Sequence, residues 1–154
     1  MKILIDGDGS PVKDTTIEIA QKFQVPVLLV TSFDHYTRKQ FPENVEVVYV
    51  DQGNDAADFK IVSLMVPGDI VITQDYGLAS LVLGKRGIAL HQNGYEFTVN
   101  NIDSLLASRY ESAQLRRSDR HYHSKGPKAY TKNLRQAFGQ RLTDVIEREK
   151  QKES

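Results

Sequence analysis

The chain has no cysteine. That absence excludes disulfide frameworks, thiolate zinc sites and cysteine nucleophiles, and it agrees with a reducing cytoplasm, the expected location. No apolar run approaches the roughly 20 residues that a membrane helix needs. The first residues, MKILID, also lack the basic and apolar regions of a secretory signal. A soluble protein with no membrane partner is expected. Net charge is missing too, since 20 basic residues balance 20 acidic ones, and there is no internal repeat, low-complexity tract or convincing linker. With 154 residues the chain fits one domain, 1–154, large enough to bury a core without a structural metal.

The zero net charge conceals an asymmetry. Up to Ser108 acidic residues exceed basic ones by 14 to 8, and from Arg109 onward basic residues lead by 12 to 6. Arg116, Arg117, Arg120, Lys125, Lys128, Lys132 and Arg135 fall close together. An acidic body with a basic C-terminal part suits a polyanion, because lysine and arginine hold phosphates while carboxylates hold a cation. A solvated charged helix is the plainer reading of the same pattern.

Hydrophobic patterning predicts strands alternating with helices. Lys2 to Ile5 reads as a strand buried on both faces, and Ser10-Pro11 as the start of a helix whose inner face is Val12, Thr16, Ile19, Ala20 and Phe23. Val25 to Val30 and Val45 to Val50 are two further strands, followed by a turn at 51–54 and a helix from about Asp55 to Val66. Asp69 to Thr73 is again strand-like, and Leu78, Leu81 and Val82 mark a third helix. Gly87 to Leu90 and Tyr95 to Val99 form a hairpin around Asn93-Gly94, the dipeptide favoured in two-residue turns. Asn101 to about Arg117 and Thr131 to about Glu149 read as helices, with frayed residues from Lys150. The implied architecture is α/β: a mostly parallel sheet with helices on both faces, an antiparallel edge, and a basic helical extension over about 101–149.

The chemistry in this pattern lies in its aspartates. Asp6 and Asp8 follow the first strand, and Asp75 follows the strand ending near Thr73. Asp55 and Asp58, three apart, share one face at the start of the second helix. Strand ends and helix starts occupy the same edge of a parallel sheet, so the five acids can converge there. Each also has a modest explanation: Asp55 as a helix cap, Asp58 as an acid favoured by the helix dipole, Asp75 as a turn or cap residue, Asp6 or Asp8 as shapers of a glycine turn. Crowded carboxylates repel unless a cation or retained protons compensate. Mg²⁺ or Mn²⁺ suits an all-oxygen set and supports phosphodiester hydrolysis.

Four stretches together resemble the YaiI/YqxD family of bacterial proteins: Asp6-Gly7-Asp8-Gly9-Ser10-Pro11-Val12-Lys13; Asp55-Ala56-Ala57-Asp58 with Ile61; Ile72-Thr73-Gln74-Asp75-Tyr76-Gly77-Leu78-Ala79; and Lys125-Gly126-Pro127-Lys128-Ala129-Tyr130-Thr131. The resemblance runs through nearly the whole chain. It implies a PIN-like fold, the α/β sandwich of a group of metal-dependent ribonucleases, with Asp6, Asp58 and Asp75 as the acidic site. Two departures stand out. Ser10 occupies the position before proline where cysteine is expected, which argues against an essential thiol. Lys125 and Tyr130 replace an expected arginine and phenylalanine, and lysine lacks the fork with which arginine grips phosphate.

The sequence is therefore read as a metal-dependent nuclease acting on RNA. Asp6, Asp58 and Asp75 are the expected metal ligands, with Asp8 and Asp55 auxiliary. Thr73 and Ser10 would order water or ligand through their hydroxyls. Arg116, Arg117, Arg120, Lys125, Lys128 and Arg135 would position the nucleic-acid backbone, and a homo-oligomer is compatible with all of this. His121 and His123 are better explained as loop residues than as ligands, and Tyr122 and Tyr130 as packing or surface residues than as base-stacking groups. The alternatives are a non-catalytic RNA-binding or regulatory module, and a haloacid dehalogenase-like phosphatase with Asp6 as nucleophile and Asp8 as acid/base.

Overall fold

A computed structural model describes residues 1–33, 38–51, 55–118 and 129–153, with the backbone alone for 109–118. Its strands are β1 (Ile3–Asp6), β2 (Val27–Ser32), β3 (Val45–Val50), β4 (Ile70–Ile72), β5 (Ile88–Leu90) and β6 (Glu96–Phe97). Its helices are α1 (Lys13–Phe23), α2 (Ala56–Leu64), α3 (Tyr76–Gly84), α4 (Val99–Ser118) and α5 (Lys132–Glu153). The strands form one sheet in the order β3-β2-β1-β4-β5-β6, parallel except for the β5–β6 pair at one edge. The expected α/β architecture is present.

Alternation along the strands builds two cores. Ile3 and Ile5 of β1 join Leu29, Ile70, Ile72 and Leu90 on one face, covered by α1 and by Phe138, Leu142 and Ile146 of α5. Leu4, Val30, Val71 and Ala89 point to the other face, beneath Ile61 of α2, Leu78 and Val82 of α3 and Ile102 of α4. Burial on both faces explains why these strands read as continuous apolar runs. Asp69, just before β4, is 1% exposed and is held by Lys2 Nζ at 2.6 Å and by the Val66 amide at 2.8 Å. Among the described residues no helix is long and apolar enough to cross a membrane.

Several boundaries differ from the sequence reading. Helix α1 starts at Lys13, not at Ser10-Pro11, and its flanking residue Val12 provides no side-chain cap. Gly9 adopts a left-handed φ of 72°, the Ser10 amide turns back to Gly7 O, and the chain becomes helical only once Val12 is buried. The hairpin connection is Gln92-Asn93-Gly94, closed by His91 N–H to Tyr95 O, instead of a two-residue turn. Gly94 supplies the positive φ that a three-residue connection needs at its last position. Strand β6 stops at Phe97 because Thr98 and Asn101 cap α4 reciprocally: the Thr98 amide donates to Asn101 Oδ1 and the Asn101 amide to Thr98 Oγ1. The last residues are helical as far as Glu153 instead of frayed from Lys150. Lys150 Nζ bonds Phe23 O at 2.8 Å, Lys152 pairs with Glu149, and the N-terminal ammonium faces Glu153.

Candidate active site

β1 is the point at which the sheet changes direction, with β2 and β3 extending it one way and β4, β5 and β6 the other. Open α/β sheets bind ligands beyond the carboxyl ends of their strands at such a switch. Asp6 ends β1 there. Its Oδ2 accepts a 2.9 Å hydrogen bond from Thr73 Oγ1, just beyond β4, and Thr73 Oγ1 in turn accepts from the Asp75 amide at 3.0 Å. Thr73 is 4% exposed, so this bond ties two strand ends together in a dry setting.

The two aspartates of Asp6-Gly7-Asp8 turn toward opposite neighbours. Asp6 faces β4, whereas Asp8 Oδ1 accepts from Thr31 Oγ1 at 2.6 Å and from the Ser32 amide at 3.0 Å at the end of β2. Gly7 between them lies against β2. A Cβ there would come within 2.7 Å of Leu29 Cδ1 and 2.9 Å of Val30 O, which only glycine avoids.

Asp75 caps α3, its Oδ1 accepting from the Leu78 amide at 3.1 Å. The modest explanation of this residue is thus realised, yet the same carboxylate also raises the pKa of Asp6 and of Asp58. Asp58, in the first turn of α2, is pushed up to about 6 by burial and then by the charges of Asp75, Asp6 and Asp55. Asp6 is raised by burial, opposed by the Thr73 hydrogen bond, and raised further by Asp75 and Asp8. Asp55 flanks α2 without a side-chain cap bond and is exposed. Asp58 therefore lies within the fields of Asp75, Asp6 and Asp55, and Asp6 within those of Asp75 and Asp8.

Beside Asp6 lies a niche of about 20 Å³ lined by Asp6, Asp8, Ser10, Ile72, Thr73, Gln74 and Gln92, room for one water-sized body. Ser10 belongs to this wall and not to a helix cap. Among the described residues, which include all five candidate aspartates, no group of three or more histidine, aspartate or glutamate side chains is placed to hold a metal ion together. The donors nevertheless fit Mg²⁺ or Mn²⁺: they are hard oxygens, and Mg²⁺ keeps several waters and uses one or two carboxylates in place of an all-protein cage.

Gln92 escaped the sequence reading, although it follows β5 as Gln74 follows β4. Tyr130 Oη donates to Gln92 O at 2.7 Å, fixing this wall to the segment before α5. The strand-end rule that drew attention to the aspartates could have found Gln92, and equally Thr31 and Ser32, which end β2. His91, next to it, is 8% exposed and stacked on Tyr95 at 4.5 Å, and burial lowers its pKa to about 4. Of the basic residues, Arg135 lies over the Tyr130 ring at 5.6 Å. Arg116 and Arg117 lie in α4, where the backbone alone is described. Arg120, Lys125 and Lys128, with His121, Tyr122 and His123, lie outside the described residues.

Residues 4–148 match the family described as "Uncharacterized BCR, YaiI/YqxD family". A UPF0178 protein of Enterococcus faecalis is 56% identical over 148 residues, covering 96% of this chain and 99% of that protein. A UPF0178 protein of Bacillus cereus is 48% identical over 146 residues, covering 95% and 99%. Among solved structures, a crystal structure of a mutant of Rae1 (YacP) from Bacillus subtilis aligns over 96% of this chain and 99% of that one, with 16% identity and a TM-score of 0.44. At that level the likeness fixes neither fold detail nor activity. The sequence match is of another order, and by it this chain belongs to the YaiI/YqxD family.

Proposed function

We propose that this protein is a divalent-metal-dependent phosphodiesterase that cuts RNA. The observation carrying the reading is that Asp6, Asp58 and Asp75, from three separate elements, are near enough for the charge of Asp75 to act on Asp6 and Asp58 and that of Asp6 on Asp58, at the switch point of the sheet where Asp6 borders a small polar niche. Such crowding costs stability in the absence of a counter-charge, and a cation-using site supplies a reason for it. The layout is the one expected of a PIN-like ribonuclease, and the basic C-terminal part suits a polyanionic substrate.

Of Asp6, Asp58 and Asp75, one or two would ligate the ion directly and the rest would hold it through its waters. Mg²⁺ or Mn²⁺ bound there would supply Lewis-acid polarisation of a phosphate oxygen and favour ionisation of water. Thr73 fixes the Asp6 carboxylate through its hydroxyl and anchors the backbone that presents Asp75. Ser10, Gln74 and Gln92 complete the polar wall against which a water would be oriented. The phosphatase alternative requires Asp8 as a mobile acid/base, whereas Asp8 Oδ1 is engaged by Thr31 and Ser32.

The test is cleavage of end-labelled RNA containing single-stranded and structured regions, with Mn²⁺ or with chelator. Cleavage should require the metal and fall at least about 100-fold in Asp6→Asn and in Asp75→Asn, both remaining folded. No cleavage by wild type, or cleavage undiminished in both variants, overturns the proposal. RNA binding without cleavage would mark a non-catalytic module, and phosphate release from small monoesters a phosphatase.

A further inference from the structure

At the β3 edge lies a second concavity, open to solvent and about 610 Å³ in volume, which the acidic centre does not use. Phe33 and Tyr49 stack there with ring centroids 5.7 Å apart and planes 14° from parallel. Phe59 forms another part of its lining, with Lys60 one residue on and Asp51 at the rim. Phe33 is 57% exposed and Phe59 71%, a costly placement for rings that serve only the core. The other exposed large apolar residues among those described, Val66, Leu81 and Val99, do not line this groove.

Two links join this groove to the acidic centre. Phe33 directly follows Ser32, whose amide holds Asp8, and Phe59 directly follows Asp58. A strand of nucleic acid whose phosphate is held near Asp6 and Asp58 through a bound cation would meet flat aromatic surface on the β3 side, with the Lys60 ammonium beside its backbone. The groove's volume falls in the range of sites that take a small ligand. Two partly exposed phenylalanines, at roughly 150–250 Å² apiece when fully buried, offer far less than the roughly 800 Å² per partner of a stable protein interface. Exposed ring faces beside a cation are the chemistry with which proteins hold unpaired bases.

We infer that the Phe33–Tyr49–Phe59 groove is a stacking subsite for an unpaired base of the nucleic acid whose backbone reaches the acidic centre. This rests on the reading of that centre as acting on RNA. A base in a duplex keeps its faces covered, so the substrate selected is single-stranded or locally unpaired.

Fluorescence anisotropy in chelator, with a labelled oligoadenylate of about ten nucleotides, measures binding without cleavage. Phe59→Ala and Phe33→Ala should each weaken it roughly 5- to 100-fold, leaving unchanged the affinity for an abasic ribose-phosphate oligomer. Phe59 is mostly exposed, so its truncation should preserve folding, and a thermal melt checks this. Undiminished binding by both variants overturns the inference, as does a wild-type protein that binds duplex and single strand equally or binds neither. A wild-type dimer that Phe59→Ala disperses also overturns it, assigning the groove to contact between copies. The two proposals separate cleanly. Loss of oligoadenylate binding in Phe59→Ala with no metal-dependent cleavage by wild type supports stacking and refutes the nuclease, whereas Mn²⁺-dependent cleavage with unchanged KM and binding in Phe59→Ala does the reverse.

Discussion

Replacing Asp58 by asparagine should make the metal-free protein more stable at pH 8, although it removes a group assigned to function. The Asp58 pKa is raised to about 6 from an ordinary 3.8, by burial and then by Asp75, Asp6 and Asp55. An acid with a raised folded-state pKa favours folding at low pH. That contribution is complete below about 3.8 and is lost as pH climbs through about 6. The difference corresponds to about 3 kcal/mol at most. Asp58 is partly exposed, so solvent screening reduces this to on the order of 1 kcal/mol. In a chain of this size that is roughly 2–4 °C in Tm. Thermal unfolding of wild type and Asp58→Asn in chelator, from pH 3.5 to 8, measures it. The curves should coincide near pH 3.5, diverge from about pH 4 to 6, and run parallel above with the variant higher. Added Mn²⁺ should raise wild type more than the variant. A variant less stable than wild type by the same margin at every pH would refute the reasoning, because Asp58 would then be an ordinary structural contact.

Asp8→Ala should behave in the opposite sense, losing about 1–3 kcal/mol in chelator at pH 8, because Thr31 Oγ1 and the Ser32 amide lose their acceptor; urea unfolding measures the loss. Gly7→Ala should cost roughly 1–3 kcal/mol, since the added methyl collides with Leu29 Cδ1 and Val30 O. It should also lower cleavage by shifting the two flanking aspartates, an effect to be followed by denaturation and RNA cleavage in parallel. His91, with a pKa lowered to about 4, contributes stability present above pH 6.5 and lost as pH falls through about 4. Its ring should show no titration by NMR between pH 5.5 and 8.

Much of this fold was legible because parallel strands buried on both faces must be apolar throughout. Ile3-Leu4-Ile5 and Ile70-Val71-Ile72 announced themselves without alternation. The placement of Asp6, Asp58 and Asp75 was legible for a topological reason, since strand ends and helix starts share one edge. What stayed hidden was set by contacts distant in sequence. The division between Asp6 and Asp8 depends on Thr73 on one side and Thr31 with Ser32 on the other, 67 and 23 or 24 residues away. The last turn of α5 is held by Phe23 O, 127 residues from Lys150. The start of α1 was misplaced because Ser10-Pro11 has the composition of a cap while the left-handed Gly9 delays the helix. In each case local propensity gave way to tertiary geometry.

Manganese titration, followed by loss of the free-ion EPR signal, interrogates the acidic centre itself. At pH 8 wild type should bind one or two ions, and Asp6→Asn, Asp58→Asn and Asp75→Asn should each weaken binding at least about tenfold, whereas Phe59→Ala should leave it unchanged. Wild-type affinity in all three aspartate variants would mean that these carboxylates do not act as one cation site.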